Sequence, residues 1–275
     1  ATTWRQHFFR GHDDDVLSLA VHPTGRWAAT GQAGRVPRVC VWDVATGEEV
    51  CVIHHEAGDR GIVALAFGPG DGTPDRGAAR IVTVSSDNKH TTRVWDWGGV
   101  TRAPPRKLCA GVGFNGTPPQ IHGAAWSKDA DRFVTFGVKH VKLWTPTAGG
   151  APVVVAAAKG GFGFASSYAG KPCKFGDVAE AADALCGSFL PGVDGRKFVT
   201  GHANGKMYVW TDRECARVVD AHGNNPIRAL TLRDRNMGGG GGVGGVKRVE
   251  VVTAAAGGVV RSWDVIKGDV VVGGG

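Results

Sequence analysis

Three short stretches of the chain carry side chains of the types that bind cofactors or metal ions. The first, Gly111–Gly116, has the Gly-x-Gly-x-x-Gly spacing of a dinucleotide-binding turn. Such a turn must open a helix whose N-terminus faces the pyrophosphate, and Pro118 and Pro119 directly after it oppose a helix. The pattern therefore predicts no cofactor.

The other two stretches carry metal-ligand types of side chain. Asp13–Asp15 supplies three successive carboxylates, but it lacks the alternating ligands and the glycine of a calcium loop. His54, His55 and Glu56 are zinc-type ligands, yet no second pair of ligands stands at the spacing of a zinc site. Both stretches are typical of surface turns, and we predict no metal site. The chain also has no nucleophile elbow, kinase phrase or Walker-type loop, so we predict no catalytic residue.

Basic side chains are the remaining candidates for function. Lys and Arg number 32 against 25 Asp and Glu, a net charge of +7 with histidine neutral. A positive surface raises the rate of encounter with polyanions such as nucleic acid, anionic lipid or an acidic protein face. The candidate partner-binding residues, all on turns or insertions, are Arg35, Arg38, Arg102, Arg106, Lys107, Lys139, Lys142, Lys171, Lys174, Arg233, Arg235, Lys247 and Arg248.

The elements that position these residues are marked by five recurring tryptophans. They are Trp42, Trp95, Trp144, Trp210 and Trp263, at intervals of 53, 49, 66 and 53 residues. An acidic residue follows three of them, as Asp43, Asp96 and Asp264, and threonine follows the other two. A repeat of this period indicates an array of similar structural units.

Short apolar or alternating runs precede each tryptophan and predict strands. The predicted first strands are Val16–Val21, Ile62–Phe67, Ile121–Trp126 and Ile227–Leu232. The 44 glycines and 13 prolines place turns between strands and argue against long helices. Four short strands in roughly 40 to 45 residues, with Gly-His and Trp-Asp signatures, are the WD40 blade pattern of an all-β propeller.

The signature residues have structural roles in this pattern. We expect each tryptophan to pack between neighbouring blades, because a large aromatic ring fills the gap between adjacent sheets. His12 and His222 stand at the Gly-His position and are expected to form hydrogen bonds inside their blades.

The repeats divide residues 1–275 into blades at approximately 11–54, 55–108, 109–158, 159–220 and 221–272. Residues 1–10 are predicted to be the outer strand of a preceding blade, which makes the chain a partial propeller within a larger or tandem one. Ala148–Asp183 and Gly238–Gly245 are predicted insertions, with Phe162 and Phe164 as apolar loop tips. The six cysteines form no Cys-x-x-Cys pair and are expected to be reduced thiols.

Several phrases resemble the echinoderm microtubule-associated protein-like family. They are His7–Asp14, Ala29–Gln32, Asp87–Trp97, Gly137–Thr145 and Tyr208–His222, in the same order over nearly the whole chain. The Trp-Asp-Trp and Gly-Val-Lys-His phrases within them are more specific than Trp-Asp alone. The glycine run, the expanded segment after residue 147, and Gly257-Gly258 depart from the family pattern.

The resemblance implies a non-enzymatic scaffold whose partners are tubulin, microtubules and other cytoskeletal or axonemal proteins. It implies a location in the cytoplasm and cytoskeleton, with the cilium, flagellar axoneme and centriole as settings. A general interaction adaptor in a signalling or ubiquitin-ligase complex is the alternative. Nucleic acid is disfavoured because no aromatic platform is interleaved with the basic residues. A membrane is disfavoured because no apolar run reaches the roughly 18 residues of a spanning helix.

Overall fold

The computed structural model describes residues 8–73, 77, 79–116, 120–128, 131–147, 168–192, 195–236, 247–266 and 269–271. These residues form twenty strands in five sheets of four. The first sheet contains β1 (Val16–Val21), β2 (Trp27–Gln32), β3 (Arg38–Asp43) and β4 (Glu49–His54). The second contains β5 (Ile62–Phe67), β6 (Arg80–Ser85), β7 (Thr91–Asp96) and β8 (Arg106–Val112), with a single 3-10 turn at Gly99–Thr101.

The remaining three sheets repeat this order. The third contains β9 (Ile121–Trp126), β10 (Phe133–Gly137), β11 (His140–Pro146) and β12 (Tyr168–Pro172). The fourth contains β13 (Ala184–Phe189), β14 (Lys197–His202), β15 (Lys206–Thr211) and β16 (Glu214–Asp220). The fifth contains β17 (Ile227–Asn236), β18 (Lys247–Ala255), β19 (Val260–Ile266) and β20 (Asp269–Val271).

Each sheet is an antiparallel meander in which every strand pairs with the next one along the chain. Short turns allow this order, because antiparallel neighbours need only a few residues between them. Gly25 and Gly47 lie in such turns with φ of 73° and 71°, a backbone conformation that glycine adopts without steric cost. The prediction of an all-β chain made of four-stranded propeller blades is confirmed.

The predicted first strands coincide with β1, β5 and β9, while the predicted strand from Ile227 continues beyond Leu232 to Asn236. Two of the predicted blade boundaries fall elsewhere in the structure. β8 belongs to the second sheet and continues to Val112, past the predicted end at 108. β12 completes the third sheet although it lies inside the predicted insertion Ala148–Asp183 and beyond the predicted end of the third blade at 158. Its sequence, Tyr-Ala-Gly-Lys-Pro, has neither the alternation nor the β-branched residues that mark the other strands.

The prediction of an outer strand at residues 1–10 lies mostly outside the described residues. Residues 8–10 are described and are not in a strand. The glycine run Gly238–Gly245, and Phe162 and Phe164, also lie outside the described residues.

Two compact units make up the chain, Ala1–Pro119 with Thr147–Tyr168, and Gln120–Pro146 with Ala169–Gly275. In the first unit the core lies between the first and second sheets, where Trp27, Val41, Ile53, Phe67 and Trp97 are buried together. This burial of large apolar side chains stabilises the pair of sheets, because their surface is removed from water.

The second unit has two core clusters. One lies between the third and fourth sheets and includes Phe136, Leu143 and Trp210. The other lies between the fourth and fifth sheets and includes Val209, Val251 and Trp263. No helix among the described residues has the length and apolar character that a membrane crossing requires.

Candidate functional site

One hydrogen bond recurs in all five sheets, from a tryptophan on the third strand to a threonine on the second. The indole Nε1 atoms donate to threonine Oγ1 in the pairs Trp42–Thr30 (3.3 Å), Trp95–Thr83 (3.0 Å), Trp144–Thr135 (3.0 Å), Trp210–Thr200 (2.8 Å) and Trp263–Thr253 (3.0 Å). We call these the Trp–Thr pairs. A buried indole N–H needs an acceptor, and the threonine supplies it inside the sheet.

Strand register explains why the five pairs are alike. Thr30 pairs across the strands with Cys40, so Trp42 lies two residues further along β3 on the same face of the sheet. Thr200 pairs with Tyr208, which places Trp210 in the same diagonal position. The sequence interpretation found the tryptophans and missed their threonines, although a threonine recurs 12, 12, 9, 10 and 10 residues before each tryptophan.

A histidine extends the Trp–Thr pair in three of the sheets. His12 Nε2 lies 2.6 Å from Thr30 Oγ1, and His222 Nε2 lies 2.9 Å from Thr253 Oγ1. The structure thus places both Gly-His histidines in hydrogen bonds to their own sheets. In the fourth sheet the equivalent contact is made by His202, at 2.7 Å from Thr200, which the sequence interpretation did not single out.

His202 is neutral in this arrangement. Its Nδ1–H donates to the carbonyl of Ala182 at 3.0 Å, so Nε2 is the acceptor for the Thr200 hydroxyl. Burial lowers the pKa of His202 to about 4, because a charged imidazolium would lose its hydration there. A buried neutral histidine held by a carbonyl and a hydroxyl has a structural role.

Two acidic residues of the signature, Asp43 and Asp96, cap turns and pair with nearby arginines. The Asp43 carboxylate accepts hydrogen bonds from the N–H groups of Ala45 and Thr46. It also forms an ion pair with Arg26, whose Nε lies 3.2 Å from the carboxylate. Hydrogen bonding from Arg26 lowers the pKa of the Asp43 carboxyl. Asp96 accepts the Gly98 N–H. Asp264 is half-buried.

A buried ion pair fixes the start of the second sheet. Both Nη atoms of Arg93 contact the two carboxylate oxygens of Asp59, at 3.0 and 3.2 Å, and Arg93 also donates to Ser85 Oγ at 2.9 Å. His55 Nδ1 lies 3.2 Å from the same carboxylate. We call Arg93, Asp59, His55 and Ser85 the Arg93 network.

The charges of the Arg93 network follow from their environment. Burial alone would raise the pKa of Asp59, but the hydrogen bond from His55 and the charge of Arg93 outweigh it, and the carboxyl is held ionised below its usual pKa. Burial lowers the pKa of His55, which keeps the ring neutral. Glu56 pairs with Lys107 at 2.9 Å, so His55 and Glu56 both contact charged side chains within the protein.

A cleft of about 600 Å³ lies over the Arg93 network. Its lining includes Arg60, Asn88, Lys89 and Thr91, together with the carboxylates of Glu56 and Asp87. Positive and negative side chains alternate there, so the cleft has no strong charge of either sign. Among the described residues, no group of three or more His, Cys, Asp or Glu side chains is placed to hold a metal ion.

The glycine-rich segment at Gly111 does not open a helix. Gly111 lies in β8, and the N–H of Gly113 donates to the carbonyl of Lys89 at 3.1 Å in the connection that follows. Among the described residues, the next regular element is the strand β9. A dinucleotide site needs a helix N-terminus at this point.

The basic candidates divide between the two ends of their sheets. In a meander, the turn between second and third strands is at one end, and the other two turns are at the opposite end. Arg35 and Lys139 lie at the first kind of turn, while Arg102, Arg106 and Lys107 lie near the connection between β7 and β8. Arg233, Arg235, Lys247 and Arg248 border the connection between β17 and β18.

Several of these cations already have partners. The ion pairs are Arg38–Asp13 (3.1 Å), Arg106–Asp96 (3.6 Å), Lys107–Glu56 (2.9 Å) and Arg233 with Glu250. Lys142 lies over the Trp144 ring at 5.1 Å, and burial lowers its pKa. The side chains of Arg235, Lys247 and Arg248 lie outside the described part of the chain. Arg35, Arg102, Lys139, Lys171 and Lys174 are exposed.

A separate basic cluster surrounds Asp212 in the second unit. Arg196 Nη2 lies 2.8 Å from Asp212 Oδ2, and Arg132 Nη1 lies 3.4 Å from Oδ1. Arg213 follows Asp212 in the chain. The backbone N–H of Lys174 donates to the backbone carbonyl of Arg213 at 2.7 Å. We call Arg132, Arg196, Arg213 and Lys174, with Asp212, the Asp212 cluster. Of its cations, the sequence interpretation named Lys174 alone.

The five sheets and their Trp–Thr pairs agree with the family to which a comparison with known proteins assigns the chain. The family model described as "Echinoderm microtubule-associated protein first beta-propeller" matches residues 5–259. The chain belongs to this family. The resemblance noted in the sequence is thereby confirmed, and the five sheets are blades of an echinoderm microtubule-associated protein propeller.

Curated members of the family align with most of the chain. Echinoderm microtubule-associated protein-like 2 of Homo sapiens is 27% identical over 254 residues, which cover 86% of this chain and 33% of that protein. Echinoderm microtubule-associated protein-like 1 of Rattus norvegicus is 28% identical over 248 residues, 86% of this chain and 26% of the relative. The 77 kDa echinoderm microtubule-associated protein of Strongylocentrotus purpuratus is 26% identical over 250 residues, 86% of this chain and 31% of its own. The chain therefore spans a third or less of these relatives.

Proposed function

We propose that this chain is a non-catalytic scaffold of the microtubule cytoskeleton that binds tubulin through surface side chains of its blades. The family match over residues 5–259 carries the proposal, and three relatives bear the description microtubule-associated in their names. Axonemal microtubules of cilia and flagella, and centrioles, belong to the same proposal, as do cytoplasmic microtubules and their associated proteins.

The chemistry of the described residues supports a binding rather than a catalytic role. Four of the five Trp–Thr pairs and the Arg93 network are buried and hydrogen-bonded within the protein, so their side chains stabilise blades instead of facing a substrate. Exposed cations such as Arg35, Arg102 and Lys139 extend from the connections between strands. A net charge of +7 favours an acidic protein partner by long-range attraction.

Co-sedimentation with stabilised microtubules across a salt series tests the proposal. We expect the chain to pellet with microtubules at low ionic strength and progressively less as salt increases, because the Debye length falls from about 30 Å at 0.01 M to about 8 Å at 0.15 M. A neutral protein of similar mass is the control for trapping in the pellet. Failure to pellet at any ionic strength contradicts the proposal.

An adaptor for other protein partners is the competing function. Its support is the mixed-charge cleft over the Arg93 network, which offers both donors and acceptors to a short peptide. Affinity capture on the full chain separates the two functions. Recovery of tubulin in an amount that rises with the tubulin concentration supports the scaffold function. Recovery of ligase or signalling subunits without tubulin supports the adaptor function.

A further inference from the structure

Asp212 holds two arginines from different strand connections at one point of the surface. Arg132 directly precedes β10 and Arg196 directly precedes β14, so both enter from the turn between first and second strands of their sheets. Arg196 contacts Asp212 Oδ2 through Nε at 3.1 Å and Nη2 at 2.8 Å, and Arg132 contacts Oδ1 at 3.4 Å. One carboxylate thus accompanies two guanidinium groups.

The first sheet contains the same arrangement with a single arginine. Arg26 directly precedes β2 and pairs with Asp43 at 3.2 Å. In the fourth sheet threonine follows the tryptophan, and the acidic role moves one residue on to Asp212. The fourth sheet therefore keeps the Arg–Asp contact, and Arg132 of the third sheet adds a second arginine to the same carboxylate.

The backbone fixes the cluster in place. Asp212 lies in the tight turn between β15 and β16 with φ of 51°, and its N–H donates to the carbonyl of Arg196. The segment after β12 pairs with the start of β16, through Lys174 N–H to Arg213 O and Cys215 N–H to Lys174 O at 3.0 Å. The four cations are thus attached close to the ends of strands, Arg132 and Lys174 in the third sheet and Arg196 and Arg213 in the fourth.

The surface beside this turn is concave and accessible. A cleft of about 480 Å³ is lined by residues 211–216 and by Arg196, whose side chain is 61% exposed. The lining contains two cations, Arg196 and Arg213, and two carboxylates, those of Asp212 and Glu214. Arg132 and Lys174 of the cluster are two further cations outside the lining, and Arg132 contacts Asp212. An arginine guanidinium can bind a carboxylate through two parallel hydrogen bonds. The cleft is therefore suited to a ligand that carries carboxylates.

We propose that the Asp212 cluster is the docking site for a carboxylate-rich peptide segment of the microtubule partner. The proposal rests on the microtubule scaffold function above and names the part of the surface that performs it. An acidic peptide fits better than nucleic acid, because the lining of the cleft contains no aromatic ring on which a base could stack.

Binding of a labelled peptide to the full chain is the direct test. The probe is a fluorescent peptide of alternating glutamate and glycine, with a glutamine–glycine peptide as its neutral counterpart. The variant Arg196→Gln/Arg213→Gln removes two cluster cations, and Arg35→Gln/Arg102→Gln removes two exposed arginines of the first unit as the matched control. We expect the cluster variant to weaken peptide binding by about tenfold and the control by less than about twofold, since charge-assisted hydrogen bonds are lost only in the first.

Three results would overturn the docking site. Equal losses in both double variants would show a response to net charge alone. If the glutamine–glycine peptide bound as tightly as the glutamate–glycine peptide, the cluster would not recognise carboxylates. Tighter binding of a single-stranded oligonucleotide of matched charge, lost in the cluster variant, would assign the cluster to nucleic acid. Thermal unfolding of each variant checks that the fold is intact.

Microtubule pelleting separates this proposal from the function on which it rests. Both the scaffold function and the docking site are supported if three results are obtained together. The wild-type chain pellets with microtubules, the acidic peptide competes with this pelleting, and the cluster variant pellets about tenfold less. Pelleting that neither the peptide nor the cluster variant reduces keeps the scaffold function and overturns the docking site. Absence of pelleting overturns the scaffold function, while the peptide measurement still decides whether the cluster recognises carboxylates.

Discussion

The indole N–H of Trp210 donates to Thr200 Oγ1 at 2.8 Å, and the threonine hydroxyl donates in turn to a buried histidine, His202, at 2.7 Å. This chain of donors joins two neighbouring strands inside the fourth blade. All three side chains are fully buried, so water cannot replace a lost partner.

Thr200→Val should destabilise the fourth blade. Valine keeps the shape but removes the acceptor of Trp210 and the donor to His202, and an unsatisfied buried polar group costs about 1–3 kcal/mol. We expect the free energy of unfolding in urea to fall by about 2–4 kcal/mol, as two groups are affected.

Thr231→Val is the matched control for that change, because Thr231 is exposed on β17. Its effect should stay within about 0.5 kcal/mol, as for most surface substitutions. Similar losses in both variants would show that the Trp–Thr pair contributes nothing specific.

His202 should make stability depend on pH below neutrality. Its pKa is lowered from 6.5 to about 4 in the folded chain, so at pH values between these the unfolded chain binds a proton that the folded chain does not. The contribution of His202 to the free energy of unfolding is fully present above pH 6.5 and is lost as the pH falls towards 4. This contribution is on the order of 3 kcal/mol.

Urea unfolding of the wild type and His202→Gln from pH 7 to pH 4 measures this contribution. The wild type should lose more stability than the variant over this interval. His54→Gln, at an exposed position, should retain the wild-type slope. A slope unchanged by His202→Gln would mean that other histidines cause the acid sensitivity.

Asp59→Asn should strongly destabilise the second blade. It leaves the Arg93 guanidinium buried without its counter-charge, and removing one partner of a buried ion pair costs about 3–5 kcal/mol. Glu56→Gln alters an exposed partner of the same arginine and should cost less than about 1 kcal/mol. Thermal and urea unfolding measure both, and equal effects would contradict the buried role of Asp59.

Buried and half-buried cysteines should resist alkylation in the native state. All six cysteines are free, and burial raises the pKa of Cys51, Cys173 and Cys186 to about 12. Because the thiolate is the reactive form, iodoacetamide should label these thiols slowly at neutral pH. Mass spectrometry after native and denaturing labelling checks this, and rapid native labelling at Cys173 would contradict the packing described.

The repeated pattern made the blades predictable. Alternation in Val16–Val21 and Ile62–Phe67 is a local signal, and these strands lie where it places them. β12 could not be found in the same way, because its glycine, lysine and proline carry no strand pattern and pairing with β11 alone holds it in the sheet. Sequence reasoning reached the histidines at positions 12 and 222 because they stand at the signature position before a first strand. It passed over His202, although Gly201 precedes it, because this Gly-His pair lies at the end of a second strand.

The candidate site was less predictable than the blades. Counting lysines and arginines could not show that Arg106 and Lys107 already pair with acidic neighbours. It also passed over Arg132 and Arg196, which are distant from one another in the sequence and meet only at Asp212.

The sequence by itself determined the repeat, the all-β blades and the family, because strand period, turn residues and signature phrases are local properties of the chain. Only the tertiary structure decided which charges are neutralised and which form a cluster. Arg132 and Asp212 are 80 residues apart, and strand register within two different sheets brings them together. Such a contact depends on packing, which no single stretch of the sequence contains.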